Sequence, residues 1–190
     1  MKKRITSLLI GALFSVSAVA APTTYQVDPT HTFVVASWSH FGFSTPSAVF
    51  AGAEGTIIFD PAKPAESSVD ISVSIDTVDT FVEKLTEEFL GSEYFNAEDF
   101  PKATFVSTKV TPTGDKEFDV TGDLTIKGVT KSVTMDVTLN GMGEHPMTKK
   151  QAVGFDAEVV IKRSEFGIDK YVPYVGDDIT LKLTAEAQTK

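Results

Sequence analysis

The chain of 190 residues contains no cysteine. Disulfide bonds, thiol nucleophiles, cysteine-ligated zinc and iron–sulfur clusters are therefore excluded, because each of them requires a cysteine sulfur. A domain of this length does not need disulfide staples, since it is long enough to bury a substantial hydrophobic core.

Basic residues are also scarce. The chain has 17 Lys and Arg against 26 Asp and Glu, which gives a formal net charge of −9. An acidic surface repels nucleic-acid phosphates and anionic lipid head groups. We therefore predict no nucleic-acid partner and no stable membrane insertion once the N-terminal segment described next has been removed.

Long hydrophobic runs are absent apart from one at the N-terminus. A basic start at residues 2–4 precedes an apolar run at residues 5–16, and Ala18-Val19-Ala20 is a small-residue cleavage site. The run is too short to span a bilayer, and the pattern is that of a secretory signal peptide. We predict a signal peptide at residues 1–20, a single domain at residues 21–190, and a periplasmic location.

Recognisable catalytic and metal-binding motifs are missing as well. The chain has three histidines and lacks both a GxSxG nucleophile elbow and an HExxH metal motif. Asp28 with His31, or Asp177 with Asp178, could begin a metal site, but a complete site needs three or four converging ligands. We predict a protein that is not an enzyme and that has no metal and no cofactor.

What the chain does contain is alternation of apolar and polar residues. Residues 68–76, SVDISVSID, alternate at every step, and a strand with this period has one dry and one wet face. Strands at such spacing with short turns between them predict an all-β antiparallel barrel or sandwich. Nine segments are predicted as strands: Thr24–Val27, Phe33–His40, Ala48–Phe59, Val69–Ile75, Ala103–Val110, Glu117–Thr125, Ser132–Leu139, Ala152–Ile161 and Ile179–Ala187.

One segment has helical rather than strand periodicity. Between Asp79 and Leu90, apolar residues at helical spacing alternate with glutamates, which predicts an amphipathic α-helix ended by Gly91. A second short helical turn is predicted at Arg163–Phe166.

The strand phases predict which side chains point inward. The interior set is rich in phenylalanine, which occurs 14 times in the chain. A small barrel can be filled by side chains or can hold one ligand, and the alternation is compatible with both. As candidate ligand-binding residues we select Val34, Trp38, His40, Phe50, Ile57, Phe105, Phe118, Leu124, Met135 and Phe155.

Four further residues are candidates for the rim or for contact with a ligand head group. His31 either bonds backbone groups at the barrel end or meets a head group. Arg163 either forms an ion pair with an acidic residue or grips an anionic head through its bidentate fork. Tyr171 and Tyr174 either pack within their loop or line a cavity mouth.

Five motifs, in order, carry a family resemblance. They are YQVDPTHT at residues 25–32, GTIIFD at 55–60, FPKATF at 100–105, GDLTIKGVTKSVTM at 122–135, and RSEFG at 163–167. The chain resembles the YceI-like family of exported polyisoprenoid-binding proteins. The resemblance implies a lipocalin-like antiparallel β-barrel of about eight strands, with one amphipathic α-helix, a short second helical turn and a long apolar channel.

The resemblance also implies a ligand class. Members of the YceI-like family hold isoprenoid chains, quinone-like tails or long fatty amides. The resemblance therefore implies that the partner is a long apolar lipid, which the protein sequesters or transports. The chain has Phe89-Leu90 where relatives often have His-Leu, and Ala48 where they often have Gly, so head-group preference is not carried over. Two alternatives remain: an enzyme using His31 and His40 on such a lipid, and a filled barrel acting as a stress or interaction module. A homodimer is left open.

Overall fold

The computed structural model describes residues 22–190, which form ten β-strands and one α-helix. Three short 3₁₀ turns lie between these elements, at Pro64–Glu66, Ile75–Thr77 and Arg163–Phe166. The predicted signal peptide falls outside the described residues. The elements are β1 (Thr23–Val27), β2 (Phe33–His40), β3 (Ser47–Ala51), β4 (Glu54–Phe59), β5 (Ser68–Ser74), α1 (Glu83–Leu90), β6 (Lys102–Pro112), β7 (Glu117–Ile126), β8 (Val129–Glu144), β9 (Gln151–Lys162) and β10 (Val175–Gln188).

The strands close into an eight-stranded antiparallel barrel. The order β1-β4-β5-β6-β7-β8-β9-β10 returns to its start because β1 pairs with both β4 and β10. β2 continues the path of β1 along β10, and β3 pairs with β2. Closure leaves the ring without a free edge, and it confirms the predicted fold class.

The predicted strand at residues 48–59 is wrong in one respect, because it is broken in the middle. Gly52 has φ +67° and separates β3 from β4. Phe50 and Ile57 are an odd number of positions apart, so an unbroken strand would place them on opposite faces. The break turns both of them inward, and it makes ten strands from the predicted nine.

Close pairing of β4 with β5 depends on Gly55. This residue has φ +147°, and a Cβ at its position would lie 2.1 Å from the carbonyl oxygen of Asp70. A side chain cannot be accommodated at that distance, so only glycine permits the register in which Gly55 lies opposite Ile71.

The helix begins four residues later than predicted. Val49 and Asp79 exchange backbone hydrogen bonds of 2.9 Å, which hold Asp79 in an extended conformation. Asp79 Oδ1 then accepts a hydrogen bond from the amide of Phe81, and Thr80 Oγ1 lies 2.9 Å from Thr86 Oγ1. These local bonds compete with the first helical turn, so α1 starts at Glu83. Its end before Gly91 and the turn at Arg163–Phe166 agree with the prediction.

The barrel has two different ends. β2, β5 and β9 finish at one end, which is covered by α1 and by the segment between Phe166, the last residue of the third 3₁₀ turn, and β10. The β8–β9 hairpin around Met147 lies at the opposite end, where Thr148 Oγ1 donates to Gln188 near the end of β10. We call these the helix end and the hairpin end. Within residues 22–190, we find no helix with the length and apolar character needed to cross a bilayer.

Candidate functional site

The inward faces of the strands enclose three cavities. An outer cavity of about 430 Å³ lies at the helix end, a middle cavity of about 150 Å³ lies inside the barrel, and a deep cavity of about 110 Å³ lies toward the hairpin end. The walls of the middle and deep cavities are almost entirely apolar. Polar groups, among them His40, Ser44 and Glu88, appear in the wall of the outer cavity.

The cavities follow one another along the barrel axis because neighbours share walls. Ala36, Phe50 and Ile179 line both the outer and the middle cavity. Phe105 and Met135 line both the middle and the deep cavity. The strand that first showed alternation follows the same order, since Val69 borders the deep cavity, Ile71 the deep and middle cavities, and residues 73 and 75 the middle cavity.

All ten candidate ligand-binding residues lie in these walls. The strand phases point to the same interior that the structure shows, except that Phe50 and Ile57 can both face inward only because of the break at Gly52. Contact of the ten residues with a ligand stays a prediction. Trp38 and His40 line the outer cavity, Phe50 the outer and middle, Val34 and Leu124 the middle, Phe105 and Met135 the middle and deep, and Ile57, Phe118 and Phe155 the deep cavity.

Aromatic side chains cover the helix end. Phe89 of α1 packs against Trp38 with ring centroids 5.6 Å apart and stacks on Tyr94 at 4.9 Å. Phe95 meets Phe50 edge-to-face at 5.4 Å. The helix and the chain after it therefore form the apolar cover of the outer cavity.

Arg163 fixes the loop beside this cover through hydrogen bonds rather than an ion pair. Nε donates to Gly176 O, Nη1 to Ile168 O, and Nη2 to the carbonyls of residues 170 and 175, all at 2.9 Å. Four of its five N–H groups are thus used within the protein. Burial lowers the pKa of Arg163 from its ordinary value, though the side chain stays charged. Bidentate binding of a phosphate needs two N–H groups, and only one N–H group of Arg163 is left. Arg163 could therefore bind a phosphate in this way only by breaking one of its hydrogen bonds to a backbone carbonyl.

Comparison with known proteins agrees with this architecture. Residues 25–187 match the model of the YceI-like domain. The chain belongs to the YceI-like family. The sequence-based resemblance is confirmed, and Protein YceI of Salmonella arizonae and that of Salmonella paratyphi B are each 34% identical over 188 residues, covering 98% of this chain and 97% of the relative.

Solved structures resemble this YceI-like barrel as well. Burkholderia cenocepacia BcnA has a TM-score of 0.77 at 30% identity, covering 85% of this chain and 99% of that one. The Campylobacter jejuni YceI protein has a TM-score of 0.71 at 28% identity, covering 80% and 90%. A polyisoprenoid binding domain from Saccharophagus degradans has a TM-score of 0.67 at 11% identity, covering 87% and 98%, which shows a shared fold.

The remaining rim candidates of the YceI-like barrel separate into two groups. Tyr171 lines the outer cavity, and the ammonium of Lys170 lies 5.2 Å from its ring centroid while pairing with Glu93. Hydrogen bonding to Glu93 raises the pKa of Lys170. Tyr174 lies outside the cavity walls and stacks on Phe41 at 6.5 Å.

His31 lies outside the walls of the three cavities. It occupies the exposed connection from β1 to β2, where Nδ1 is 2.9 Å from Asp28 Oδ2. Glu186 approaches the same pair, so three potential ligand atoms lie within 4.8 Å of one another. The Asp28–His31 bond accounts for the proximity of two of these three groups, and Asp28 also accepts hydrogen bonds from Thr30. His31 and His40 therefore do not share a cavity, as an acid–base pair acting on one ligand would have to do.

The Asp28–His31 pair predicts a pH-dependent contribution to stability. Hydrogen bonds from Thr30 and His31 lower the pKa of Asp28 from 3.8 to about 2, and the bond to Asp28 raises the pKa of His31 above 6.5. The contribution of this pair to the free energy of unfolding is therefore largest between pH 3.8 and pH 6.5, the ordinary pKa values of Asp and His. It is lost as pH falls through the folded pKa of Asp28 and as pH rises through that of His31.

We expect NMR titration of the His31 ring protons to show this raised pKa, and Asp28→Asn to return it toward 6.5. Asparagine retains the side-chain oxygen that accepts from the Thr30 amide, so the turn itself should persist. An unchanged His31 pKa in Asp28→Asn would show that the pair does not form in solution.

Sequence reasoning missed part of the cavity wall. Ala36 is in phase with the β2 candidates Val34 and Trp38, and Ile179 is an apolar position in the alternation of β10, so the alternation could have found both. Tyr94, Phe95 and Ile168 lie in segments without strand or helix periodicity, and they reach the outer cavity only through tertiary packing.

Proposed function

We propose that this protein sequesters or transports a long-chain lipid in the periplasm. The ligand would be an isoprenoid with a polyprenyl or quinone-like structure, or a fatty amide, with its tail running along the barrel axis. The observation that carries this proposal is the series of three apolar cavities that share walls from the helix end to the deep cavity. The S. degradans domain that shares the fold is named for polyisoprenoid binding, which supports the same ligand class.

Binding would be dominated by the tail. Each buried methylene group contributes about 0.8 kcal/mol, and noncovalent affinities saturate near about 20 kcal/mol. A long tail can therefore approach the affinity limit without a strongly bound head group. We therefore expect selectivity for the length and shape of the tail, because the apolar walls offer few polar groups that could recognise a head group.

The cations near the outer cavity favour an uncharged head group. Arg163 is held by backbone carbonyls, and Lys170 is paired with Glu93. Glu88, which also lines the outer cavity, would repel a phosphate. We therefore favour a quinone, alcohol or amide head over a diphosphate, with His40 and Ser44 near enough to the mouth to offer hydrogen bonds.

A carrier role fits the other sequence features. The N-terminal segment has the pattern of a secretory signal, which supports export to the periplasm. Separation of His31 from the cavity that His40 lines favours binding without catalysis. The cavities favour a ligand-binding barrel over a filled one, and homodimer formation stays a prediction.

Native mass spectrometry tests the proposal directly. Protein stripped of lipid by unfolding and refolding is mixed with a long-chain quinone, a long-chain fatty amide and a polyprenyl diphosphate in separate samples. We expect one-to-one adducts with the first two and weaker retention of the diphosphate. A protein that keeps its bare mass with all three would contradict lipid carriage, and tightest retention of the diphosphate would contradict the uncharged head group.

A further inference from the structure

Two segments without charged residues flank the outer cavity at the helix end. Residues 41–46, FGFSTP, connect β2 to β3, and residues 171–176, YVPYVG, follow Asp169 and Lys170 and include the first two residues of β10. His40 and Ser44, on either side of the first loop's tip, line the outer cavity, and so does Tyr171 in the second loop. In a chain with 23% charged residues, two adjoining uncharged loops at a cavity mouth form a distinct surface.

Four aromatic side chains of these loops are exposed. The exposed fractions are 93% for Phe43, 72% for Tyr174, 57% for Tyr171 and 51% for Phe41. We call these four residues the aromatic rim. Single exposed apolar residues are ordinary on a protein surface, but a group of aromatic residues marks an interaction site.

The aromatic rim is one surface rather than two separate loops. The amide of Phe41 donates to the carbonyl of Tyr174 at 3.0 Å, and their rings stack at 6.5 Å. His40 packs edge-to-face against Phe41 at 4.6 Å. The β2–β3 turn is closed by a 3.0 Å bond from the Phe43 amide to the His40 carbonyl, so Phe43 is held at its tip.

Backbone conformation is unusual at two rim positions. Phe41 has φ +53° and Tyr171 has φ +65°, in the left-handed region that bulky residues rarely adopt. Both side chains remain about half exposed despite this conformation. The fold therefore holds these rings at the mouth of the cavity, where contacts with His40, Tyr174 and Lys170 cover only part of each ring.

We propose that the aromatic rim docks reversibly on the surface of a lipid bilayer, with the mouth of the outer cavity facing the membrane. This inference rests on the proposed function, because a carrier of a long apolar lipid must exchange it with a bilayer. Phenylalanine and tyrosine rings suit the head-group region, where one side of a ring is apolar and the other meets water.

Area and charge both favour a bilayer over a protein partner. At about 150–250 Å² per aromatic side chain, the exposed parts of the four rings amount to about 400–700 Å². A stable protein interface needs about 800 Å² on each partner. The four rim residues are uncharged, and Lys170 beside Tyr171 is paired with Glu93, so little positive charge is left at the rim to attract an anionic surface. The chain's net charge of −9 opposes an anionic surface as well, so a zwitterionic bilayer is the matching surface.

Vesicle flotation tests the docking. The wild-type protein should float with phosphatidylcholine vesicles, and binding should weaken when half the lipid is phosphatidylglycerol. The double variant Phe43→Ser/Tyr174→Ser should bind phosphatidylcholine vesicles at least about tenfold more weakly, because it lacks two of the rings that docking would bury in the bilayer. Met147→Ser is the matched control, because Met147 is 86% exposed but lies at the hairpin end, and it should bind like wild type.

A second measurement separates docking from lipid binding. Uptake of a long-chain quinone is followed from vesicles and, in parallel, from detergent solution. The double variant should lose rapid uptake from vesicles and keep uptake from detergent, because neither residue lines a cavity. Wild-type uptake from detergent without vesicle binding would overturn the docking and leave the proposed function standing.

Two other outcomes are also decisive. Vesicle binding without quinone uptake from either source would overturn the proposed function and leave the docking. A dimer that dissociates in Phe43→Ser/Tyr174→Ser, with no vesicle binding by wild type, would assign the aromatic rim to a second copy of this chain and overturn the bilayer proposal.

Discussion

Replacing Arg163 with methionine is expected to lower the free energy of unfolding by about 3–5 kcal/mol. Methionine fills similar space but donates no hydrogen bond, so four backbone carbonyls lose the donor they share, those of Ile168, Lys170, Val175 and Gly176. The Ile168 carbonyl is buried and the other three are partly buried, and leaving such acceptors unpaired costs more than the net gain of forming the bonds. The loss should be measured by urea unfolding, with hydrogen exchange reporting on residues 168–176.

Two further variants, Arg163→Lys and Lys162→Met, test whether the loss of stability in Arg163→Met comes from the four hydrogen bonds. Arg163→Lys keeps the charge but has three donors on one nitrogen instead of a planar fork, so we expect it to recover only part of the loss. Lys162→Met removes the adjacent exposed side chain and its ion pair with Asp178, and should cost no more than about 1 kcal/mol. An Arg163→Met protein within about 1 kcal/mol of wild type would show that the four bonds contribute little in solution.

Arg163 also shows where sequence reasoning reaches its limit. Its position at the start of a short helical turn is readable from the RSEFG motif, and the structure contains the predicted turn. Its partners are backbone carbonyls, which every residue possesses and which therefore leave no mark in the sequence. An acidic side chain would have been a recognisable partner, and that is why an ion pair was the natural expectation.

The barrel was predictable because strand alternation is a local property. Each strand's inward phase follows from its own residues, so Phe105, Phe118 and Met135 could be assigned to the interior without knowing their neighbours. The break after Ala51 was harder to predict, because a single glycine in an apolar strand is compatible with both a continuous strand and a bend. Its effect was large, since it reversed the phase of everything that follows in that segment.

The cavities themselves were not predictable from alternation. An inward residue can pack against the opposite wall or leave a space, and the difference depends on the summed volumes of residues from all eight strands. The family resemblance supplied the expectation of a hollow barrel. The structure locates the spaces. The wall that the outer and middle cavities share includes one small residue, Ala36, and the wall that the middle and deep cavities share includes Ala185.

Filling these two positions is expected to shorten the tail that the barrel can hold. Ala36→Phe places a ring between the outer and middle cavities, so a tail should lose access to both inner cavities. Ala185→Phe places the same ring farther along and should close only the deep cavity. Because the added atoms enter existing space rather than a packed core, the free energy of unfolding should change by less than about 1.5 kcal/mol in each variant.

A series of fatty amides of increasing length measures the effect. Wild-type affinity should rise by about 0.8 kcal/mol for each added methylene group until the tail reaches the end of the deep cavity, and then level off. The plateau should come at a shorter tail in Ala185→Phe and at the shortest in Ala36→Phe, where long amides bind at least about tenfold more weakly than in wild type.

Ala51→Phe is the matched control for the plug variants. Ala51 is exposed at the end of β3, so the same ring is added outside the barrel and the plateau should stay at its wild-type length. If affinity levels off at the same tail length in Ala36→Phe, Ala185→Phe and Ala51→Phe, the tail does not run along the barrel axis. Binding would then have to be confined to the outer cavity beneath α1, which is the largest of the three and the one that Ala36→Phe leaves open.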